Sequence, residues 1–284
     1  MKILLTGASG QLGRCIQDRL PEGWEIHAVG SAQLDIGDKA QVEQAVRAYQ
    51  PDAIINAGAY TAVDKAESEP EAAARVNTQG PENLALAARD SGAKLIHVST
   101  DYVFDGQGTR PYLETDTTNP LGVYGKTKLD GEKAVLAVLP DAAIVRTAWV
   151  FSEYGNNFVK TMVNLAEKRD ALGIVSDQRG CPTYAGDLAQ ALITLLQVQA
   201  QGGIYHYGGD HEVSWFEFAD RIFDVAVAEG RLANKPVLTG VTTEEYPTPA
   251  KRPAYSVLDG EKIKALGVAL SDWDSALKDI ISKF

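Results

Sequence analysis

Short apolar runs alternate with longer amphipathic stretches along the first half of the chain. Each apolar run has the length of a buried strand, and each following stretch repeats its apolar side chains at helical spacing. This alternation is typical of strand–helix–strand units and predicts an α/β fold built on a doubly wound parallel sheet. The predicted strands are Lys2–Thr6, Glu25–Val29, Asp52–Asn56, Lys94–Val98 and Ala143–Arg146.

The pattern in the second half of the chain is less regular. Helical spacing recurs, and Ser214 with Glu217 three residues later has the pattern of a capping box at a helix start. A sixth strand is predicted near Leu172–Val175, whereas residues 231–257 are rich in proline and are predicted to be loop. Because no flexible linker separates the halves, we expect one compact unit with a smaller C-terminal lobe capping the sheet.

Composition and charge narrow the classes of function. The chain has 284 residues and a formal net charge of −11, which argues against nucleic acid as the main partner but leaves room for an anionic small molecule. No basic leader precedes the first apolar run and no stretch resembles a membrane span, so we expect no membrane association. With only Cys15 and Cys181, a reduced cytoplasmic protein without disulfides is expected, and the histidines show no metal-ligand spacing.

A glycine-rich turn joins the first predicted strand to the first helix. Gly7, Gly10 and Gly13 recur at three-residue intervals. Glycine at such positions permits a sharp turn, close approach of the backbone to a pyrophosphate, and close packing of helix on strand. The helix that follows supplies unpaired N–H groups and a favourable dipole for phosphates. The turn therefore predicts a dinucleotide site of the Rossmann type.

The residues after the second strand leave the choice of dinucleotide open. Many NAD-binding folds place an acidic residue there to hold the ribose 2′-hydroxyl. In this chain the strand ends in Gly30-Ser31, which is neither acidic nor basic. NADH and NADPH are therefore both compatible with the sequence. Asp35 follows shortly afterwards and has two equally weighted interpretations, a contact with the adenosine or the start of a turn.

Small and polar residues follow three later strands, at positions 57–61, 99–101 and 147–149. Ligands of doubly wound sheets bind outside the carboxyl ends of the strands. We therefore expect these residues to line the same crevice as the glycine turn.

Tyr124 and Lys128 stand one helical turn apart at the start of the helix between the fourth and fifth strands. The helix can face the same crevice. An ammonium beside a phenol is expected to lower the pKa of the phenol, which would let Tyr124 donate a proton near neutral pH.

Several motifs together resemble the extended short-chain dehydrogenases/reductases. In chain order they are Thr6-Gly7-x-x-Gly10-x-x-Gly13, Asn77-x-x-Gly80-x-x-Asn83-Leu84, Ser99-Thr100-Asp101 and Tyr124-x-x-x-Lys128. Longer stretches make the chain similar to one family among them, the dTDP-4-dehydrorhamnose reductases. These stretches are Asn56–Asp64, Ser99–Phe104, Arg146–Phe151, Asp177–Thr183 and Arg252-Pro253.

The resemblance implies a role for each matched residue. Tyr124 would donate the proton, Lys128 would bind the nicotinamide ribose and tune Tyr124, and Thr100 would orient the sugar oxygen. The remaining cofactor contacts would come from Gly7, Gly10, Gln11, Leu12, Gly13, Asp35, Ile36, Ala59, Tyr60 and Thr61. The sugar nucleotide would be contacted by Thr100, Asp101, Trp149, Gln178, Arg179 and Arg252.

The resemblance also implies a reaction. NADPH or NADH would deliver hydride to the C4 ketone of dTDP-4-dehydro-L-rhamnose, a nucleotide sugar, and give dTDP-L-rhamnose for surface polysaccharides. Two alternatives stay open, which are another nucleotide-sugar reductase or epimerase and a non-catalytic NADP-binding regulatory subunit. Some members of the family form a homodimer around magnesium, but the acidic residues of that site have no assured match here, so no metal ligand is assigned.

We expect the chain to divide into two lobes. Residues 1–150 are predicted to form the NAD(P)-binding domain, and 157–178 and 214–230 are expected to return to it. Residues 179–213 and 231–284 are expected to form the smaller lobe that binds the nucleotide sugar.

Overall fold

The computed structural model describes all 284 residues. The strands, in chain order, are β1 Lys2–Thr6, β2 Glu25–Val29, β3 Ala53–Asn56, β4 Lys94–Thr100, β5 Ala143–Thr147, β6 Val150–Phe151, β7 Ala171–Val175, β8 Arg179–Gly180, β9 Thr183–Tyr184, β10 Gly203–His206, β11 Val213–Ser214 and β12 Val237–Val241. The helices are α1 Gln11–Asp18, α2 Lys39–Tyr49, α3 Val63–Ala66, α4 Pro70–Ala74, α5 Gly80–Ser91, α6 Val123–Val138, α7 Phe158–Ala166, α8 Ala185–Gln197, α9 Trp215–Ala228, α10 Glu261–Lys264 and α11 Trp273–Ile281. None of these helices combines the length and apolar character that crossing a bilayer requires.

Six parallel strands form the central sheet in the order β2-β1-β3-β4-β5-β10. The chain winds outward to β2 on one side of β1 and outward from β3 on the other side. At such a switch point the loops after the two strands diverge and open a crevice for a ligand. The predicted doubly wound sheet is confirmed, and the five strands predicted in the first half lie within about two residues of their observed bounds.

Helices cover both faces of this sheet because its central strands carry apolar side chains on both sides. Helices α1 and α8 pack together on one face, where Ile16 and Leu192 are buried in the same core. Helices α2, α5 and α6 cover the other face, around Val42 and Leu84. The two cores hold the carboxyl ends of the strands in a fixed relation, and these ends position the site described below.

The strand predicted near Leu172–Val175 is present as β7, but it lies outside the central sheet, whose sixth strand is a different one. It is β10, Gly203–His206, which pairs with β5, and α8 before it packs on α1. Residues 185–206 were expected in the smaller lobe but complete the first domain instead. The sequence Gly-Ile-Tyr-His has a weaker apolar run than Leu172–Val175, so local pattern favoured the wrong strand.

The second lobe contains segments that were expected to return to the first domain. Residues 157–178 and 214–230 lie in this lobe, because α7 packs on α9 and β7 pairs in parallel with β12. Helix α11 closes its core, in which Phe218 and Trp273 are 0% and 2% exposed. The partner of β7 lies more than 60 residues further along the chain, and nothing local to either strand reveals that pairing.

A buried ion pair anchors α6 to the sheet. Arg146 on β5 donates from Nε to Glu132 Oε1 at 2.9 Å and from Nη2 to Glu132 Oε2 at 2.6 Å, and both side chains are 2% exposed. Ser99 on β4 donates to Glu132 Oε1 at 2.5 Å. Two parallel charge-assisted hydrogen bonds with a third donor are the geometry in which attraction can offset the desolvation of buried charges.

Removing one partner of this pair should cost stability. Glu132→Gln or Arg146→Met leaves the other group buried without its partner, and each should lower the free energy of unfolding by about 3–5 kcal/mol. The double variant E132L/R146M, which removes both charges, should recover much of that loss. The measurement is urea unfolding followed by circular dichroism.

The control variant is Lys126→Gln, which breaks an exposed pair with Asp130 on the same helix. It should change the free energy of unfolding by less than about 1 kcal/mol. Single variants at Glu132 or Arg146 as stable as this control would contradict the anchoring role.

Candidate active site

A cavity of about 690 Å³ opens at the carboxyl edge of the sheet, at the switch point between β1 and β3. The turns after β1, β3, β4 and β5 wall it. Of the predicted site residues, those that line it are Gly7, Gly10, Gln11, Leu12, Asp35, Ile36, Ala59, Thr61, Thr100, Asp101, Tyr124, Lys128 and Trp149. The predicted site residues outside its lining are Gly13, Tyr60, Gln178, Arg179 and Arg252.

At two positions of the turn after β1, only glycine fits, because a side chain would clash with neighbouring backbone. Gly7 has a φ of +73°, and a Cβ there would lie 2.6 Å from the backbone of Ala57. A Cβ on Gly13 would lie 2.2 Å from the carbonyl oxygen of Gly7, so Gly13 shapes the turn from behind. The first turn of α1 then presents the N–H groups of Gln11 and Leu12 with no partner inside the helix, which suits a pyrophosphate.

Asp35 both starts a turn and lines the cavity. Its Oδ1 accepts from the backbone N–H of Gly37 at 2.9 Å, and its Oδ2 accepts from Arg75 at 2.5 Å. Ile36 beside it is buried and packs closely on Gly80 of α5. Asp35 therefore starts a turn, which was one of its two interpretations. The other, a contact with adenosine, stays a prediction for both Asp35 and Ile36.

Asn77 joins the loop after β3 to α6. Its side chain accepts from Tyr60 N at 2.8 Å and donates to Tyr60 O at 3.1 Å and Thr127 Oγ1 at 3.2 Å. A Cβ on Gly131 would lie 2.1 Å from the carbonyl oxygen of Asn77, so α6 and the π-helical turn that contains Asn77 are in close contact. The backbone of Tyr60 is thereby fixed beside the cavity, while its phenol turns away to Glu69 at 2.7 Å.

Tyr124 lies in the first turn of α6, with its ring edge-on to that of Tyr102 at 5.4 Å between centroids. Burial raises the pKa of the Tyr124 phenol to about 12; a hydrogen bond with Thr100 opposes the rise and the charge of Asp101 adds to it. The pKa of this phenol is therefore raised by burial, whereas the sequence predicted that it would be lowered. The phenol keeps its proton at neutral pH, as a proton donor must.

Lys128 follows one turn later and is 2% exposed. Its ammonium donates to the carbonyl oxygen of Val98, near the end of β4, at 2.6 Å. Burial lowers the pKa of Lys128 to about 8, and Glu132 one turn further along α6 opposes that fall. The ammonium is therefore directed at the end of β4.

Asp101 sets the direction of the Thr100 hydroxyl. Thr100 Oγ1 donates to Asp101 Oδ1 at 2.9 Å and accepts from Tyr102 N at 3.2 Å. With its proton on Asp101, Thr100 offers the cavity only an acceptor. Asp101 is 2% exposed, its Oδ2 has no hydrogen-bond partner, and burial raises the pKa of its carboxyl to about 6.

Trp149 forms a flat wall of the cavity where the two lobes meet. Its indole stacks on that of Trp215, the first residue of α9, with centroids 3.5 Å apart and planes 7° from parallel. Its φ of +50° is unusual for a bulky residue, and the stack offsets the strain of that backbone conformation. The position fits the predicted contact of Trp149 with a sugar.

Gln178 and Arg179 are held by protein partners in the second lobe. Gln178 is buried and donates to Thr243 Oγ1 at 3.0 Å. Arg179 pairs with Glu212 at 2.9 Å and with Glu217 at 3.2 Å. Their contact with a sugar nucleotide stays a prediction.

Arg252 links the two lobes. Its guanidinium donates to Asp64 Oδ1 at 3.0 Å and Oδ2 at 2.8 Å, which ties the segment between β12 and α10 to α3 of the first domain. Any diphosphate bound by Arg252 would have to share the guanidinium with Asp64. The substrate role of Arg252 stays a prediction.

Sequence reasoning missed several contributors to the site. Gly155 and Asn156 line the cavity because the loop after β6 folds onto the glycine turn, where Asn157 donates to Gln11 Oε1 at 2.9 Å. No local signal marks that loop. Arg146 is a charged residue in an otherwise apolar strand, and this pattern indicates a buried ion-pair partner such as Glu132. The structure contains no group of three or more His, Cys, Asp or Glu side chains placed to hold a metal ion.

A phosphate-cradling turn and a Tyr/Lys pair that share one cavity in a doubly wound sheet define the class of extended short-chain dehydrogenases/reductases. The family described as the RmlD substrate binding domain matches residues 1–284. The dTDP-4-dehydrorhamnose reductase of Aggregatibacter actinomycetemcomitans is 49% identical, over 98% of each chain. The chain therefore belongs to the dTDP-4-dehydrorhamnose reductase family.

Two solved structures are similar over the full length. A dTDP-4-dehydrorhamnose reductase from Clostridium acetobutylicum is 42% identical with a TM-score of 0.94, covering 99% of this chain and 98% of that one. The enzyme of the same name from Bacillus anthracis, solved in complex with NADP, is 37% identical with a TM-score of 0.93, covering 100% and 99%. Both lobes are therefore shared with these relatives.

Proposed function

We propose that this protein reduces the C4 ketone of dTDP-4-dehydro-L-rhamnose to dTDP-L-rhamnose, using NADPH or NADH, in the synthesis of surface polysaccharide. The observation that carries the proposal is the convergence of the glycine turn, Thr100, Tyr124 and Lys128 on one cavity in a chain that matches reductases of that name over its whole length.

The residues at the switch point fit a dinucleotide. A Cβ at Gly7 or Gly13 would clash with the protein's own backbone, so these glycines permit the tight turn that lets the backbone lie against a pyrophosphate. Gln11 and Leu12 would hold that pyrophosphate, Asp35 and Ile36 the adenosine end, and Lys128 the nicotinamide ribose. When bound, a reduced nicotinamide supplies the hydride for the ketone carbon.

Tyr124 is the proton donor in this proposal. Because burial keeps its phenol neutral, it has a proton to give to the oxygen that becomes negatively charged as the ketone is reduced. The charge left on the phenolate is stabilised by Lys128 one turn away, whose ammonium also holds the end of β4.

Thr100 aids this step when its proton points into the cavity. That requires Asp101 to release the Thr100 hydroxyl or to become protonated and donate to it. A neutral Asp101 also removes a negative charge beside the oxygen that gains charge in the reaction. With Trp149 as the opposite wall, the sugar ring is proposed to lie between the indole and the Thr100–Tyr124 pair.

The direct test is turnover with purified protein. NADPH or NADH should be oxidised in a one-to-one ratio with added dTDP-4-dehydro-L-rhamnose, and more slowly with UDP- or GDP-linked keto sugars. The measurement is the loss of absorbance of the reduced nicotinamide together with chromatography of the sugar product. Epimerisation without net oxidation would instead favour the epimerase alternative, and binding without turnover would favour a regulatory subunit.

Tyr124→Phe should lower kcat by at least about 100-fold, because the general acid is lost while the ring is kept. Dinucleotide binding, followed by fluorescence titration, should stay within a few-fold of the unchanged protein. Tyr49→Phe, at a tyrosine on α2 whose hydroxyl has no hydrogen-bond partner and which lies outside the cavity lining, is the control and should keep full turnover. Near-normal turnover of the Tyr124 variant would remove Tyr124 from the mechanism.

Asp101→Asn should change the pH dependence of turnover. The carboxyl of Asp101, with a pKa of about 6, gains its proton as the pH falls, so kcat of the unchanged protein should rise several-fold as the pH falls through that value. The amide cannot titrate, so the variant should lack this inflection. The control Glu244→Gln should keep it, and an unchanged profile in the Asp101 variant would exclude this role.

A further inference from the structure

Helix α6, which carries Tyr124 and Lys128, has no capping side chain of its own at its N-terminal end. Its N-cap residue is Gly122, and Tyr124 is the second residue of the helix. The first N–H groups of a helix have no carbonyl partner inside it, so the first turn frays unless other groups bind them. The position of the proposed proton donor therefore depends on what holds this turn.

A carboxylate from another segment of the chain supplies the missing cap. Glu67 Oε1 accepts from the backbone N–H of Val123, the first residue of α6, at 2.9 Å. A Cβ on Gly122 would lie 2.5 Å from the same oxygen, so glycine at this position leaves the room that the carboxylate fills. A negative charge at a helix N-terminus also interacts favourably with the helix dipole. Glu67 and Gly122 are thus complementary parts of one cap.

The first turn of α6 is also packed tightly against the turn after β4. A Cβ on Gly125 would lie 2.2 Å from the carbonyl oxygen of Tyr102, and the ring of Tyr102 meets that of Tyr124 edge-on. This packing and the cap of Glu67 together restrain the turn that carries the phenol.

The short helix α3, which ends just before Glu67, is held by the second lobe. Glu67 continues the helical backbone with a φ of −61° and a ψ of −30°, so Asp64 three residues earlier lies on the same face. Besides the guanidinium of Arg252, Asp64 accepts from the backbone N–H of Ala250 at 3.1 Å. Through Asp64 and Glu67, α3 joins the segment between β12 and α10 to the first turn of α6.

We propose that Glu67 is a positioning residue for proton transfer from Tyr124, and that Asp64 on the same short helix links this position to the second lobe. Glu67 lies outside the cavity lining, so it acts through α6 and contacts no ligand. A misplacement of about 1 Å can lower a reaction rate about 100-fold, so a group that fixes one helical turn can control turnover. The inference rests on the proposed reduction of a keto sugar with Tyr124 as the proton donor.

The test compares kcat for the proposed reduction with hydrogen exchange of the full chain, measured by mass spectrometry on peptides that cover residues 122–129. Glu67→Ala removes the acceptor, so it should lower kcat about tenfold. It should also speed exchange in the first turn of α6 about fivefold, the scale of a lost helix cap. Glu67→Gln keeps an acceptor oxygen and should retain most of kcat and the slow exchange. Dinucleotide affinity should stay within about twofold in both variants, which shows that they are folded.

A second variant separates the position of the helix from the charge of Glu67. In the Glu67→Ala background, Gly122→Ser places a hydroxyl at the N-cap, in the space that the carboxylate leaves. The backbone there, with a φ of −145° and a ψ of 177°, is extended as a capping serine requires. This double variant should recover both kcat and slow exchange. Asp64→Ala should lower kcat by itself but add no further loss to Glu67→Ala, because both act through α3.

The matched control is Glu71→Ala, at an exposed glutamate on α4 whose side chain makes no hydrogen bond or ion pair. It should change neither kcat nor exchange. Unchanged kcat in Glu67→Ala, or a loss that neither Glu67→Gln nor the added Gly122→Ser avoids, would overturn the positioning role. The expected changes in exchange without reduction of any keto sugar would leave the cap in place but overturn the proposed reaction, and with it the part of Glu67 in proton transfer.

Discussion

The buried pair of Arg146 and Glu132 is the interaction on which the site depends. It fixes α6 to β5, and through Ser99 also to β4. Lys128 lies one turn before Glu132 on the same helix, and Tyr124 one turn before that. An α-helix is rigid over two turns, so anchoring Glu132 sets where the phenol and the ammonium stand relative to the strand ends. The positions of Tyr124 and Lys128 at the sheet edge therefore depend on the buried ion pair of Arg146 and Glu132.

The same burial sets the protonation states of the site. Tyr124 is kept neutral and Asp101 has a raised pKa because low-dielectric surroundings disfavour a negative charge on either group. Lys128 is shifted the opposite way by the same cause, and Glu132 limits the shift. A neutral phenol, a carboxyl with a pKa of about 6 and a desolvated ammonium thus share one origin, which is burial at the edge of the sheet.

The sequence predicted the parts of this protein whose signals are local. The glycine turn, the first five strands and the Tyr/Lys spacing each depend on residues within a few positions of one another, and the doubly wound sheet follows from their order. The sheet to which β7 or β10 belongs was not predictable in this way. Each strand joins its sheet by pairing with a strand far along the chain, β12 for β7 and β5 for β10. The same reason explains why the segments 157–178, 185–206 and 214–230 were each expected in the other lobe.

Electrostatic detail was the other part that sequence could not supply. The spacing of Tyr124 and Lys128 is visible in the sequence, but the direction in which the pKa of the phenol shifts depends on burial, which spacing does not show. Arg252 had the right charge for a diphosphate, yet Asp64 from the other lobe holds it. Such pairings arise only when separate segments meet in the folded chain.

The contacts of Asn77 have a consequence for the order in which ligands assemble. The side chain of Asn77 holds both the backbone of Tyr60 beside the cavity and Thr127 in the first turns of α6. A dinucleotide that tightens the loop of Tyr60 also restrains Thr127, and with it the neighbouring phenol. Such a coupling favours a compulsory sequence in which the coenzyme enters first and the sugar nucleotide meets a helix that is already immobilised.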